Sequence, residues 1–215
     1  MKKILIIISI INVCYSCKQK RETIQPEVEL SIAEKIANAH GYENWKNVSE
    51  ITFTFAGKRS WIWKPKTDDI SLIREQDTIH YNRAKMDSTF IKFDRGFIND
   101  KFWLLIPFQL VWDENANISE PEKATSPIAG IEMNKITLTY SNLGGYTPGD
   151  AYDIYFSNDY IIKEWGFRKS NQDKAGLINT FENYQDFNGL KIALDHKKAD
   201  GNWNLQFTNV SVKIE

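Results

Sequence analysis

Asn99-Asp-Lys-Phe-Trp-Leu-Leu-Ile-Pro-Phe-Gln-Leu-Val-Trp112 dictates how the rest of this chain must be arranged. Nine of its fourteen residues are large and apolar, from Phe102 and Trp103 through Val111 and Trp112. Full burial of each such side chain is worth about 1.5–3 kcal/mol. The run must therefore enter a core, or plug a concave surface made by the rest of the chain. Asn99 and Asp100 are good helix N-caps, and Pro107 breaks or kinks a helix. The spacing predicts a short helical turn up to Ile106, then a bend, then a second short apolar piece.

Outward from this run the period is two. Ile51, Phe53 and Phe55 alternate with Thr52, Thr54 and Ala56. A turn at Gly57-Lys58 leads to Trp61 and Trp63 on one face, with Ile62 on the other. Residues 70–74, 78–82 and 88–93 read as three more strands joined by short polar turns, a meander signal for an antiparallel sheet. Residues 114–127 are polar, with Pro121 and Pro127, and read as a long loop suited to act as a mobile flap. Further strands are predicted at 134–141, 151–156, 160–169, 177–184, 190–196 and 202–214. In the last of these Trp203, Leu205 and Phe207 are out of phase with Val210, Val212 and Ile214, which places a bulge near Thr208 and Asn209. Upstream, Ser31-Ile-Ala-Glu34 has capping-box spacing, and Ala33, Ile36 and Ala37 follow at helical intervals up to a C-cap at Gly41. The fold class is mainly β (α+β), with about ten or eleven strands. A sheet that large curls and must have one face covered. The economical arrangement is an incomplete, half-open β-barrel covered by the N-terminal helix and the apolar plug.

The chain opens Met1-Lys2-Lys3, followed by an apolar stretch at 4–13 that is shorter than the roughly 20 residues needed to span a bilayer. The two cysteines, Cys14 and Cys17, both lie at its end. Their Cys-x-x-Cys spacing lacks the folded context of a redox motif. The segment resembles a bacterial lipoprotein signal cut after Ser16, with acyl chains on Cys17, although Cys14 and Tyr15 depart from the usual pattern. The expected organisation is a signal peptide at 1–16, a charged tether at 17–28 containing Pro26, and one domain over 29–215. With no disulfide to help, a core alone must hold that domain. Without Lys2 and Lys3 the chain has 25 basic and 28 acidic side chains, a net charge of −3. Such a balance argues against nucleic acid, which selects a basic patch or stripe.

Catalytic motifs are missing: there is no Gly-x-Ser-x-Gly elbow and no His-Glu-x-x-His. His40, His80 and His196 are far apart in sequence. His40 reads as a helix-terminal residue favoured by the macrodipole when protonated, and His80 and His196 read as members of a polar strand face. The segment 144–153, with Pro148-Gly149, Asp150 and Asp153, reads as a structural turn rather than a phosphate cradle or cation loop. No metal, no cofactor and no enzymatic activity are expected. The richest signal is aromatic, with seven Trp, nine Tyr and twelve Phe. Inside a curved sheet this much apolar material suits a cavity in a barrel mouth. Its expected lining is Trp61, Trp63, Trp103, Leu105, Phe108, Trp165 and Phe167, with a solid core as the alternative.

Several motifs in this chain resemble one family. They are Ala39-His-Gly-Tyr42 with Trp45, Asp100-Lys-Phe-Trp-Leu-Leu-Ile-Pro-Phe-Gln-Leu110, Tyr146-Thr-Pro-Gly-Asp-Ala-Tyr-Asp-Ile-Tyr155 and Asn183-Tyr-Gln-Asp-Phe-Asn-Gly-Leu190. Following a lipoprotein signal, they are similar to a lipid-anchored branch of the LolA/LolB-like superfamily of lipoprotein carriers, over roughly residues 30–215. The resemblance implies an unclosed antiparallel barrel around a cavity for an acyl chain, a lipid or a lipoprotein tail. With Lys18 rather than an acidic residue after Cys17, the resemblance also implies the outer membrane of a Gram-negative envelope, and the lack of an acidic run after the anchor favours the periplasmic face. No functional residue of the carriers matches position by position, so none is carried over. Two other readings stay open, a lipid- or glycan-acting hydrolase and a structural subunit of an envelope complex.

Overall fold

The computed structural model describes residues 29–114, 116–142 and 147–215. The signal, the tether and Cys17 lie outside the described residues. Strands dominate, in two antiparallel sheets with two α-helices, so the mainly β class holds. Among the described residues thirteen strands are formed, against the ten or eleven expected. Helix α1 (Ile32–Ala39) begins with the predicted capping box: Glu34 N donates to Ser31 Oγ at 3.2 Å and Ser31 N donates to Glu34 Oε2 at 2.7 Å. A 3-10 helix over Tyr42–Asn47 then leads into β1 (Val48–Phe55), β2 (Arg59–Lys64), β3 (Asp69–Ile73) and β4 (Thr78–Asn82). Helix α2 (Ile91–Trp112) follows, then β5 (Ala116–Ile118), β6 (Glu122–Thr125), β7 (Glu132–Tyr140), β8 (Ala151–Phe156) and β9 (Ile162–Arg168). The chain ends with β10 (Leu177–Thr180), β11 (Glu182–Phe187), β12 (Leu190–Lys197) and β13 (Asn204–Ile214).

The seven-stranded sheet runs β11-β12-β13-β1-β2-β3-β4, and the six-stranded sheet runs β10-β9-β8-β7-β5 with β6 also on β7. The predicted strand at 177–184 is in fact two strands. Phe181 separates β10, which pairs with β9, from β11, which pairs with β12, so the chain crosses from one sheet to the other there. The predicted bulge is present: Thr52 pairs with Ser211 but Thr54 pairs with Thr208, and Asn209 takes a φ of 52°. The expected loop at 114–127 is largely structured, because β5 and β6 both pair with β7, so its described residues form no long flap.

The central run corrects the reading most. Asn99 and Asp100 are interior residues of a 22-residue helix that starts at Ile91. The predicted strand at 88–93 is instead a 3-10 turn, Ser88–Phe90, and the beginning of α2. The expected bend does occur: Leu105 leaves helical geometry (φ −123°, ψ 28°) two residues before Pro107. Proline lacks an N–H, and its ring collides with the carbonyl four residues earlier, so the helix must deform at this point. Every residue from Asp100 to Leu110 is buried, because α2 is covered on both flanks. Phe97 meets Trp61 and Trp63 of the seven-stranded sheet, with ring centroids 5.5 and 5.6 Å apart. Phe102 meets Tyr152, and Trp103 meets Trp165, of the six-stranded sheet at 4.8 and 4.7 Å.

Two of the motifs behind the family resemblance pack on each other. Gly41, at φ +88°, lies so close to the β11–β12 turn that a Cβ there would sit 1.8 Å from Gly189 O. His40 O accepts from Lys191 N at 2.9 Å beside it. Gly41 therefore terminates α1 and also permits backbone-to-backbone docking of the helix end.

Candidate functional site

Helix α2 presents Arg95, Ile98, Asn99, Phe102 and Trp103 at intervals of three and four, which aligns them on one stripe. The stripe faces Tyr152 of β8, Trp165 and Phe167 of β9, and Leu177 of β10, across a cleft of about 360 Å³ with Thr147 at its rim. Sheet register explains the facing wall. Tyr152 pairs with Phe167, and Phe167 pairs with Leu177, so the three form a row across adjacent strands. Trp165 lies two residues along the same strand face. Rings make most of the surface: Phe102–Trp165, Tyr152–Trp165 and Tyr152–Phe167 centroids are 5.7, 5.1 and 5.2 Å apart. Two of these rings have their polar atoms paired within the protein. Trp165 Nε1 donates to Asn179 Oδ1, and the Tyr152 hydroxyl lies 3.2 Å from Thr147 Oγ1.

Of the seven residues expected to line a cavity, the cleft brings together Trp103, Trp165 and Phe167. Trp61, Trp63, Leu105 and Phe108 do not line it. Trp61 is fully buried and donates from Nε1 to Asp100 Oδ2 at 2.8 Å. Trp63 and Phe108 belong to a packed aromatic cluster with Trp45 and Trp112. In that cluster the Lys101 ammonium lies 5.4 and 5.3 Å from the Trp63 and Trp112 ring centroids. Burial pushes Lys101 down to about 8. The expected single wall is thus divided by α2: Trp63 and Phe108 pack into an aromatic cluster on one flank, where Trp61 also borders a separate hollow of about 370 Å³ with Arg59, Phe93 and Gly96, and the other flank leaves the cleft. Ile98, Phe102, Tyr152 and Leu177 were missed. The signal that could have found the helical ones, the 95–98–99–102–103 spacing, is hidden when the helix is started at Asn99.

The buried carboxylates of Asp100 and Asp94 and the half-buried ones of Asp153 and Asp150 are committed to structure. Asp100 accepts from Arg59 Nε and Nη2 at 2.6 and 2.5 Å in addition to Trp61. Asp94 accepts from Arg83 Nε at 2.8 Å and from the Tyr81 hydroxyl at 3.2 Å. Asp153 accepts from Arg168 Nε and Thr137 Oγ1, and Asp150 accepts from Ser170 N, so over its described part, 147–153, the predicted turn has structural carboxylates; residues 144–146 of it lie outside the described residues. Among the described residues, no three His, Cys, Asp or Glu side chains gather as a metal site. Among the described residues that line the cleft, the polar groups are Arg95, Asn99 and the hydroxyls of Thr147 and Tyr152. A larger hollow of about 830 Å³ beside α1 is bordered by Glu29, Lys35, Asp113 and Glu120 and suits water better than an apolar ligand.

His80 is exposed and accepts or donates at 2.8 Å to Ser71 Oγ, as its polar-face reading required. His196 departs from that reading. It is in phase with Leu190 and Ile192 on β12 and fully buried among Trp103, Phe181 and Phe207. His40 does end α1, but burial pushes it down to about 4, so it is neutral rather than a charged dipole partner. Burial pushes His196 to about 4 as well. Both folded values lie below the unfolded 6.5, so the unfolded chain binds more protons in the interval between them. The stability these groups permit is complete above pH 6.5 and is lost as pH falls toward 4. Urea midpoints measured from pH 7 to 4.5 should fall steadily. Imidazole NMR titrations should place both midpoints near 4, and midpoints near 6.5 would contradict the burial described here.

Comparison with family models, curated proteins and solved structures returns no match for this chain.

Proposed function

We propose that this protein is a membrane-anchored envelope lipoprotein that binds an acyl chain, as a lipid or a lipoprotein tail, in the cleft between α2 and β8–β10. The carrying observation is the cleft itself, a concave aromatic surface on which one helical stripe faces a three-strand row. Ligand sites of about 300–1,000 Å³ are mostly apolar with few polar groups, and this cleft fits the lower end of that range. Each methylene moved from water into it contributes about 0.8 kcal/mol. Apolar burial without an acid–base pair supports binding rather than catalysis.

The two sheets are proposed to act as one half-open barrel. The passage of the chain through Phe181 supports this, as do two contacts between β10 and β12: Lys197 N donates to Thr180 Oγ1 and His196 Nδ1 lies 3.1 Å from Thr180 O. Helix α2 would then be the plug, with one flank sealed and one flank open to ligand. Attachment through Cys17 at the periplasmic face of the outer membrane completes the proposal, with carrier or acceptor as its role. Native mass spectrometry of the purified protein tests the reading. An adduct of lipid mass, reduced by Phe102→Asp, is expected. A protein that carries no lipid and acquires none from liposomes would leave a structural subunit with a solid core as the better description.

A further inference from the structure

The stripe that lines the cleft changes character along its length. Arg95 is exposed at one end, Ile98 and Asn99 follow, and Phe102 and Trp103 at the other end are buried. Trp103 lies eight helical positions after Arg95, about 12 Å along the axis. A polar entrance and a ring-lined depth on one helix face match a molecule with a charged head and an apolar tail. Arg95 is also the arginine left over. Among the described residues Arg59, Arg74, Arg83 and Arg168 are each paired with a carboxylate, whereas Arg95 has no such partner. A lone guanidinium over an apolar cleft is uncompensated positive charge placed where a ligand head would lie.

We infer that the cleft selects a fatty acid, with its carboxylate against Arg95 and its chain running along α2 toward Trp103; this deepens and rests on the acyl-binding reading. Charge and size both favour that choice. One guanidinium balances one carboxylate, while a phosphate monoester brings about −1.5 to −2. A cleft of about 360 Å³ suits one chain better than the two of a phospholipid.

The test is a tryptophan-fluorescence titration at pH 8 with laurate, dodecyl phosphate, dodecanol and dodecylamine, on the protein and on Arg95→Glu. Laurate should bind the unaltered protein most tightly. Arg95→Glu should weaken laurate on the order of tenfold, leave dodecanol unchanged and strengthen dodecylamine, since an exposed ion pair is worth up to about fivefold and reversal adds repulsion. Arg95→Gln, which only removes the charge, should fall between, and both variants should melt with the unaltered protein because Arg95 is exposed. Equal binding of laurate, dodecanol and dodecylamine, unmoved by either substitution, would overturn the head-group inference and leave the acyl cleft standing. Tighter binding of dodecyl phosphate than laurate would overturn the fatty-acid assignment. Binding of none of the four would overturn the acyl reading itself, and this inference with it.

Discussion

Phe108→Ala should lower stability by about 3–5 kcal/mol, the cost of removing a buried ring and leaving a cavity. Phe108 is 1% exposed and lies just beyond the kink at Leu105. Its ring touches Tyr42, Trp45 and Trp112, at centroid distances of 5.7, 5.7 and 5.9 Å. Two of these partners come from the 3-10 helix and one from the end of α2, so the cavity cannot close by shifting a single element. In a domain of this size each kcal/mol moves the melting temperature by about 2–4 °C. Thermal unfolding followed by far-UV circular dichroism should therefore show a fall of roughly 10 °C. A melting temperature unchanged by the substitution would mean that this flank of α2 is not packed as described.

Asp100→Ala should cost a comparable amount, about 3 kcal/mol, for an electrostatic reason. The carboxylate is fully buried, whereas the side chain of its Arg59 partner is 38% exposed. Removing the carboxylate frees Arg59 to turn toward water, which limits the loss on that side. The buried Trp61 Nε1–H has no such escape and keeps its full desolvation cost of about 1–3 kcal/mol. Asp100→Asn preserves shape and one acceptor oxygen and should cost less than the alanine variant. Chemical denaturation of the two variants separates the contributions. Equal losses would show that charge, not the acceptor for Trp61, is what α2 requires at this position.

Much of the sheet was legible because its strands are half-buried. Ile51, Phe53 and Phe55 pointing inward, and Trp61 with Trp63 on one face, follow from period two alone. The phase slip between Phe207 and Val210 located the bulge at Asn209. The capping box of α1 is local chemistry and was readable for the same reason. Helix α2 was obscured because burial on both flanks erases the one-sided stripe that marks an amphipathic helix. Its first half, 91–98, also contains Gly96 and two isoleucines, which weaken its helical signature. β5 and β6 are short and polar, with Asn117, Glu120 and Pro121 nearby, and only pairing with β7 makes them strands. His196 was misassigned although it is in phase with Leu190 and Ile192, which points it inward. The cleft was half-legible: Trp103, Trp165 and Phe167 were named from their size, but which side of α2 each would occupy depends on contacts between residues far apart in the chain.

Quenching of tryptophan fluorescence by a fatty acid brominated along its chain tests the acyl-binding cleft most directly, since bromine quenches the indoles it touches. Saturable quenching is expected in the unaltered protein and in Trp63→Phe, whose indole belongs to the sealed flank. It should be largely lost in the double variant Trp103→Phe/Trp165→Phe, which removes the two indoles of the cleft. Absence of saturable quenching in the unaltered protein, or quenching that persists in the double variant, would contradict an acyl chain lying between α2 and β8–β10.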